Sequence, residues 1–235
     1  QRSTSAFDRV YNRTAVTDAN GYTTHYEFDA LNRQVRVTDA EQQSTLYEYD
    51  AVGNRLSVTD ARLHVTSTTY DADNRAIEVE QADGTVTRYA YDKVDNRIAM
   101  TRAAGLSEAQ TTTYTYDRNN RLLVQTDALG HSTRFEYDAN GNVSAQYDEL
   151  NHRTRYEYDA NNRVRFIFDA LDHATEYRYD GNGNRTVVID ALGRATTTGY
   201  NRNNEITLTI NAEGEATSFG YDDNGNLASD ARSGS

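Results

Sequence analysis

The chain has 235 residues, a formal net charge of −12 and no cysteine or proline. Only 37% of its residues are hydrophobic and 18 residues are tyrosine, so buried area must come largely from Tyr, Val, Leu and Ile. An acidic chain without a basic block is a poor candidate for binding nucleic acid. The absence of cysteine excludes a disulfide framework and a thiolate metal site. The sequence contains no apolar run long enough for a transmembrane helix and no signal-peptide pattern.

Taken in chain order, the sequence is a tandem repeat. An aromatic-x-aromatic-Asp signature returns along the chain, and we call its second aromatic residue the anchor. Anchors recur every 21 residues, except for a spacing of 25 between Tyr91 and Tyr116. The anchors are Phe7, Phe28, Tyr49, Tyr70, Tyr91, Tyr116, Tyr137, Tyr158, Tyr179, Tyr200 and Tyr221. A fixed period over eleven copies predicts a repeat architecture.

The segment that leads to each anchor alternates in character. Thr154, Tyr156 and Tyr158 are separated by the polar residues Arg155 and Glu157. The pairs Tyr47 with Tyr49 and Tyr177 with Tyr179 repeat this pattern. Alternation with a period of two, rich in Thr and Tyr, predicts a half-buried strand, which we call the A strand. Its Thr and Tyr side chains are expected on the packed face of the sheet and its charged side chains on the other face.

A short polar turn follows each anchor. It begins with Asp at Asp50, Asp159 and Asp180 and contains residues that accept a positive φ or cap backbone amides. A return strand, the B strand, begins after Arg163 with Val164. Apolar residues stand six or seven positions after the anchors, which predicts a bulge or a loop-length shift in some hairpins.

The predicted fold class is all-β, with tandem 21-residue β-hairpins that form a continuous antiparallel, coiled, single-layer ribbon. Two strands and two turns in each unit leave no room for a crossover helix. The predicted domain organisation is an array over residues 1–230 with incomplete first and last copies. A four-residue insertion falls near residues 103–110, and residues 231–235 are predicted to be a tail outside the array.

These motifs resemble the Rhs/YD-repeat family, which includes bacterial Rhs proteins, the shell-forming components of insecticidal toxin complexes, and teneurins. The resemblance rests on Tyr-x-Tyr-Asp, a Gly/Asn-Arg turn and a later Thr-Asp-Ala, as in the segment from Tyr47 to Leu56 with Thr59 and Asp60. It covers nearly the whole chain. The family often has proline after the second turn Asp, where this chain has Ala19, Ala40, Ala61, Ala128, Ala170 and Ala191.

The resemblance implies a strip of hairpins that spirals into a hollow shell, which in toxin members encloses a C-terminal toxic polypeptide. It therefore implies a secreted or cell-surface structural segment whose partner is the remainder of its own polypeptide. We also expect self-association through open sheet edges, and neither nucleic-acid binding nor a membrane span. The alternative function is an adhesion or carbohydrate-binding array that uses exposed tyrosines.

Three polar series are candidates for chemistry. The Asp residues after the anchors recur on every unit, so turn capping is favoured over paired catalytic carboxylates. The segment from Asp138 to Glu149 resembles a calcium loop, but Val143 stands where glycine is required. His64, His131, His152 and His173 form a row that we interpret as a solvated strand edge rather than a zinc site. We therefore predict no catalytic residue, no cofactor, no metal and no enzyme activity.

Overall fold

The computed structural model describes residues 3–222 and 224–233. All regular structure in this described part is β-strand, which confirms the all-β fold class. The chain divides into two compact units: unit 1 contains residues 1–120 and 126–130, and unit 2 contains residues 121–125 and 131–235. No helix in the described part is long and apolar enough to cross a membrane.

Unit 1 is an antiparallel meander in which each strand pairs with its neighbours along the chain. Its strands are β1 Thr4–Phe7, β2 Arg13–Thr17, β3 Thr23–Phe28, β4 Gln34–Thr38, β5 Ser44–Tyr49, β6 Arg55–Thr59, β7 Val65–Tyr70, β8 Ala76–Glu80, β9 Val86–Tyr91, β10 Arg97–Arg102 and β11 Gln110–Tyr116. The inserted residues lie in the connection between β10 and β11. The strand β12, Leu122–Thr126, is divided between the two units.

Unit 2 repeats the same meander. Its further strands are β13 Ser132–Tyr137, β14 Val143–Tyr147, β15 Arg153–Tyr158, β16 Val164–Phe168, β17 Ala174–Tyr179, β18 Arg185–Ile189, β19 Ala195–Tyr200, β20 Ile206–Ile210, β21 Ala216–Tyr221 and β22 Leu227–Ser233.

The last strand extends beyond the predicted array. Thr217 pairs with Arg232 and Ser218 pairs with Ala231, so residues 231–233 continue β22. The reason lies in the turn chemistry, because Arg232 stands eleven residues after its anchor, where Asp169 and Asp190 begin turns in earlier units. Residues 234 and 235 of the predicted tail lie outside the described residues.

Each sheet face has its own pattern of cross-strand pairs. The face that carries the anchors, which we call the aromatic face, pairs the A-strand tyrosines with aliphatic residues of the B strand. Examples are Tyr47 with Val58, Tyr156 with Ile167, and Tyr177 with Val188. Such pairs are the unit of sheet stabilisation. Within the described residues, Ala145 is the only fully buried hydrophobic side chain, so a single layer of half-buried side chains takes the place of a core.

The opposite face, which we call the second face, differs between the units. In unit 1 it carries hydroxyl pairs across the strands, with Oγ–Oγ distances of 2.8 Å for Thr17 and Thr23 and 2.9 Å for Thr38 and Ser44. At the same positions of unit 1, Thr59 pairs with Val65 and Glu80 with Val86. In unit 2 three of the corresponding pairs are apolar, namely Phe168 with Ala174, Ile189 with Ala195, and Ile210 with Ala216, and a fourth is Tyr147 with Arg153. The sequence predicts charged side chains on this face for the A strands, whereas at these positions of unit 2 the A strands present Ala opposite Phe or Ile of the B strands.

Candidate functional site

The turns after the anchors, which we call A turns, share one hydrogen-bonded design. In the turn that begins at Asp159, carboxylate Oδ1 accepts the amides of Asn161 at 2.9 Å and Arg163 at 3.0 Å. Oδ2 accepts the Arg163 Nε–H at 2.7 Å. These bonds, first the side-chain bond from Arg163 and then its amide, hold the pKa of Asp159 below its usual range. Asp50 and Asp180 occupy the same position in their turns.

The fourth residue of each turn has a left-handed backbone. In the A turns this residue is often glycine or asparagine, as at Gly183 with φ of 94° and Asn162 with φ of 58°. Both residue types tolerate this region better than other residues do. The result is a tight loop in which a turn is followed by a left-handed residue, a common connection in β-hairpins.

Every A hairpin for which the structure gives a register contains a bulge just before the anchor. Tyr158 pairs with Val164, whereas Glu157 pairs with Phe166, so Arg165 is the extra residue. Of the two predicted alternatives, a bulge or a shift in loop length, the structure shows the bulge, and it occurs in all of these hairpins rather than in some. An obligatory bulge explains why apolar residues stand either six or seven positions after the anchor.

The anchor hydroxyls bond to the preceding repeat beside its bulge. Tyr158 donates its hydroxyl to the carbonyl oxygen of Val143 at 2.8 Å, and Tyr179 donates to that of Val164 at 2.8 Å. The acceptor residue directly precedes the extra residue, at the point where a bulge interrupts the ladder. Seven other anchors make the same bond: Tyr49, Tyr70, Tyr91, Tyr116, Tyr137, Tyr200 and Tyr221. Burial raises the pKa of Tyr158, so its hydroxyl stays protonated as the donor.

The fifth residue of the A turn reaches forward to the next repeat, and it alternates between two chemistries. In one set it is arginine. Arg163 donates from Nη1 to the carbonyl oxygen of Asp180 at 3.3 Å, and its guanidinium carbon lies 4.6 Å from the ring centroid of Tyr179. This distance is typical of a cation–π contact. Arg33, Arg75 and Arg121 make the same two contacts with their own following repeats.

In the intervening set the fifth residue is asparagine. Asn142 donates from Nδ2 to its own turn carboxylate of Asp138 and to Oδ1 of Asn162 in the next turn, both at 3.0 Å. The pairs Asn12 with Asn32, Asn54 with Asn74, Asn96 with Asn120, and Asn184 with Asn204 repeat the second bond. We call the tyrosine, arginine and asparagine contacts together the seam. The seam joins each repeat to the next through side chains, in addition to the backbone ladder.

A model of the RHS repeat matches residues 11–44, 28–62, 70–107, 116–148 and 137–165, which together make up more than half of the chain. The chain belongs to the RHS repeat family. This membership confirms the family that the motifs resemble. The comparison with curated proteins gave no match.

Solved structures similar to this RHS repeat chain include toxin-complex proteins. One is TcdB2-TccC3 without its hypervariable C-terminal region, with a TM-score of 0.49 and 12% identity over 98% of this chain. Another is the Photorhabdus luminescens Tc holotoxin pore, with a TM-score of 0.36 and 15% identity over 98% of this chain. The chain spans 18% of each of those two chains. A porin-like protein from Bacteroides uniformis has a TM-score of 0.31 and 13% identity, over 90% of this chain and 88% of its own.

The structure brings the predicted signature residues of the RHS repeat together around the seam. Tyr158, Asp159, Arg163 and Val164 surround one A turn, as described above. Their equivalents Tyr49, Asp50, Tyr179 and Asp180 surround two others. Thr154, Tyr156, Tyr47 and Tyr177 lie on the A strands and face cross-strand partners rather than the turns.

Sequence reasoning missed the alternation, which makes the full structural repeat 42 residues long, twice the 21-residue unit. Its signal is the fifth turn residue, which runs Asn142, Arg163, Asn184 in successive units. Glu205 breaks the series, and its carboxylate accepts the Asn201 side-chain amide at 2.6 Å within its own turn.

The histidine row belongs to the second set of turns, which we call B turns. His152 and His173 are the fifth residues of turns that begin at Asp148 and Asp169, with Nδ1 to Oδ2 distances of 2.8 and 3.0 Å. His64 occupies the same position beside Asp60. These histidines therefore close turns rather than line a strand edge. In the described part of the chain, no group of three His, Cys, Asp or Glu side chains could hold a metal ion.

Proposed function

We propose that this chain is a wall segment of an encapsulating RHS β-shell, which encloses a C-terminal polypeptide of the protein to which the chain belongs. The observation that carries the proposal is the recurrent seam. A wall must resist opening between neighbouring hairpins. Here the Tyr179 hydroxyl and the Arg163 guanidinium both bridge successive repeats, and equivalents recur along each unit.

The proposal assigns the chain no catalytic role, and its partner is the remainder of its own polypeptide. The secreted or cell-surface setting is part of the same proposal and follows from the family. A carbohydrate-binding role requires open aromatic faces for a sugar to stack on. Instead, arginine lies over the anchor rings of Tyr49, Tyr91, Tyr137 and Tyr179 at 4.5–5.0 Å, which favours the wall.

The test uses the full-length polypeptide that contains these residues. Its C-terminal segment is exposed to a protease within the full-length protein and as an isolated peptide. We expect protection in the full-length protein, and weaker protection when Arg75→Ala and Arg163→Ala are combined. Arg62→Ala and Arg202→Ala, at exposed turn positions, serve as the matched control pair. Equal digestion of the segment in the full-length protein and in isolation would overturn the proposal.

A further inference from the structure

Apolar side chains occupy the tips of some turns and not others, and the edge of the sheet on which most of them lie differs between unit 1 and unit 2. The tip is the third turn residue. The tips of the A turns form one edge of a meander, the A edge, and the tips of the B turns form the opposite B edge. On the A edge of unit 1 the apolar tips are the consecutive Val10, Leu31 and Val52 and, beyond the polar tip Asp73, Val94; these four are 59–73% exposed. On the B edge of unit 2 they are Leu150, Leu171 and Leu192, which are 68–78% exposed.

The opposite edges carry mostly polar tips. On the B edge of unit 1 the tips Asn20, Glu41, Arg62 and Asp83 precede one apolar tip, the exposed Leu129, and on the A edge of unit 2 the tips are asparagines such as Asn140, Asn161 and Asn182. Isolated exposed leucines need no explanation, but a row at constant spacing marks an interaction surface. The A edge of unit 1 and the B edge of unit 2 are therefore both candidate interaction surfaces.

The tips are held rigidly by the turns. The amide of Leu171 donates to Asp169 Oδ1 at 2.8 Å, and the amide of Val52 donates to Asp50 Oδ1 at 3.0 Å. Neighbouring tips on one edge are two strands apart, a spacing of roughly 9.6 Å. Because both edges share this spacing, the consecutive tips Val10, Leu31 and Val52 can be matched one to one with Leu150, Leu171 and Leu192.

Shape and charge also fit the two edges to each other. An exposed alanine precedes several tips, as Ala51 precedes Val52 and Ala170 precedes Leu171, which leaves room for an opposing side chain. On the A edge of unit 1 the exposed cations Arg9 and Lys93 precede their tips. On the B edge of unit 2 the exposed Glu149 precedes Leu150. Apolar tips can thus meet while opposite charges lie beside them.

We propose that the B edge of unit 2 docks against the A edge of unit 1 of a second copy of this chain. The inference deepens the proposed wall function and rests on it, because it identifies how hairpin ribbons join side by side. Burying a side chain of this size removes roughly 60–120 Å² of apolar surface. Six matched tips therefore bury roughly 400–700 Å², below the roughly 1,200 Å² of a stable interface. Docking between free copies is accordingly weak and depends on concentration.

The absence of cysteine from the chain permits a direct test. Copies with Leu171→Cys and copies with Leu31→Cys, the middle tips of the two rows, are mixed with a short bis-maleimide cross-linker. We expect mixed dimers to form about tenfold faster than either homodimer, because docking raises the effective concentration of the paired thiols. The matched control mixes Arg62→Cys with Asn182→Cys, which occupy the same turn position on the polar edges. A Leu171–Leu31 preference no greater than that of the control pair would overturn the inference.

A second set of variants tests the apolar cause. Leu150→Gln and Leu192→Gln are added to the Leu171→Cys copy and are expected to reduce mixed-dimer formation to the control level. An unchanged rate would overturn the inference. Both substitutions are on exposed tips, and far-UV circular dichroism verifies that the variants remain folded. The protease-protection experiment does not depend on docking between copies, so its failure is distinguishable from the failure of these cross-links.

Discussion

Units 1 and 2 have the same arrangement of strands, bulges and turns but differ in the side chains on their second faces. In unit 1 the Thr38 and Ser44 hydroxyls bond across β4 and β5 at 2.9 Å. In unit 2 the equivalent pair is Phe168 and Ala174, on β16 and β17. The bulges, turns and seam are the same in both units. The difference teaches that turns and seam set the path of the chain, whereas the second face can change from hydroxyl pairs to apolar pairs without altering it.

The largest effect is expected from acid, because both units depend on carboxylates in their turns. The turn bonds lower the folded pKa of Asp71 in unit 1 and Asp159 in unit 2. Their stabilisation is therefore present above the unfolded pKa of about 3.9 and is lost as the pH falls through that value towards the folded one. An acid titration followed by amide NMR signals should lose both units together. Loss of one unit at a clearly higher pH would contradict a shared cause.

Asn201 provides the control for the acid titration. Its side-chain oxygen accepts the amides of Asn203 and Glu205 at 2.9 and 3.0 Å, so an amide can replace the carboxylate in this turn. Asp71→Asn and Asp159→Asn are therefore expected to fold at neutral pH. Each variant should also reduce the acid sensitivity of its own unit.

Truncating an anchor is expected to have the next largest effect, of equal size in both units. Tyr91→Ala and Tyr179→Ala each remove a half-buried ring, its hydroxyl bond to the preceding repeat, and the surface beneath an arginine. We expect each to cost about 3 kcal/mol in the free energy of unfolding. Urea titrations of the two variants measure it. A difference larger than about 1 kcal/mol between them would show that the units do not share one seam.

Removing only the hydroxyl is expected to cost less. Tyr116→Phe in unit 1 and Tyr158→Phe in unit 2 each lose one bond to a carbonyl, at 2.9 and 2.8 Å, at a cost of about 1 kcal/mol. Phe28 offers the reverse change, because it is an anchor without a hydroxyl. Phe28→Tyr places a donor near the carbonyl of Arg13 and should gain a similar amount. Thermal unfolding of the three variants measures both the expected losses and the expected gain in stability. Destabilisation by Phe28→Tyr would contradict a stabilising role for the anchor hydroxyl.

Converting a hydroxyl pair on the second face into an apolar pair should have the smallest effect on the free energy of unfolding. The double substitution Thr38→Ile with Ser44→Ala reproduces the pair Ile189 and Ala195 of unit 2 in unit 1. Because both hydroxyls are removed together, neither is left without its partner. We expect a change below about 1 kcal/mol, whereas either single substitution should cost more. A double variant worse than both single variants would mean that the second face also determines the path of the chain.

The repeat could be predicted from the constant spacing of the anchors. The all-β class could be predicted from the alternation with a period of two in residues such as Thr154, Tyr156 and Tyr158. The bulge was harder to predict, because apolar residues at either of two positions fit a shift in loop length equally well. The seam was not predictable from pattern alone. Asn142 and Arg163 both look like ordinary turn residues, and their reach to the next repeat depends on side-chain geometry that periodicity does not encode.

The contact between a turn arginine and the next anchor tests the seam most directly. A double-mutant cycle with Arg163→Ala and Tyr179→Ala measures the coupling between the two side chains, and Glu205 with Tyr221 is the matched pair, because glutamate replaces the arginine there. We predict a coupling energy of about 1 kcal/mol for Arg163 with Tyr179 and a value within about 0.3 kcal/mol of zero for Glu205 with Tyr221. Equal coupling in the two pairs would contradict the claim that turn side chains join the repeats.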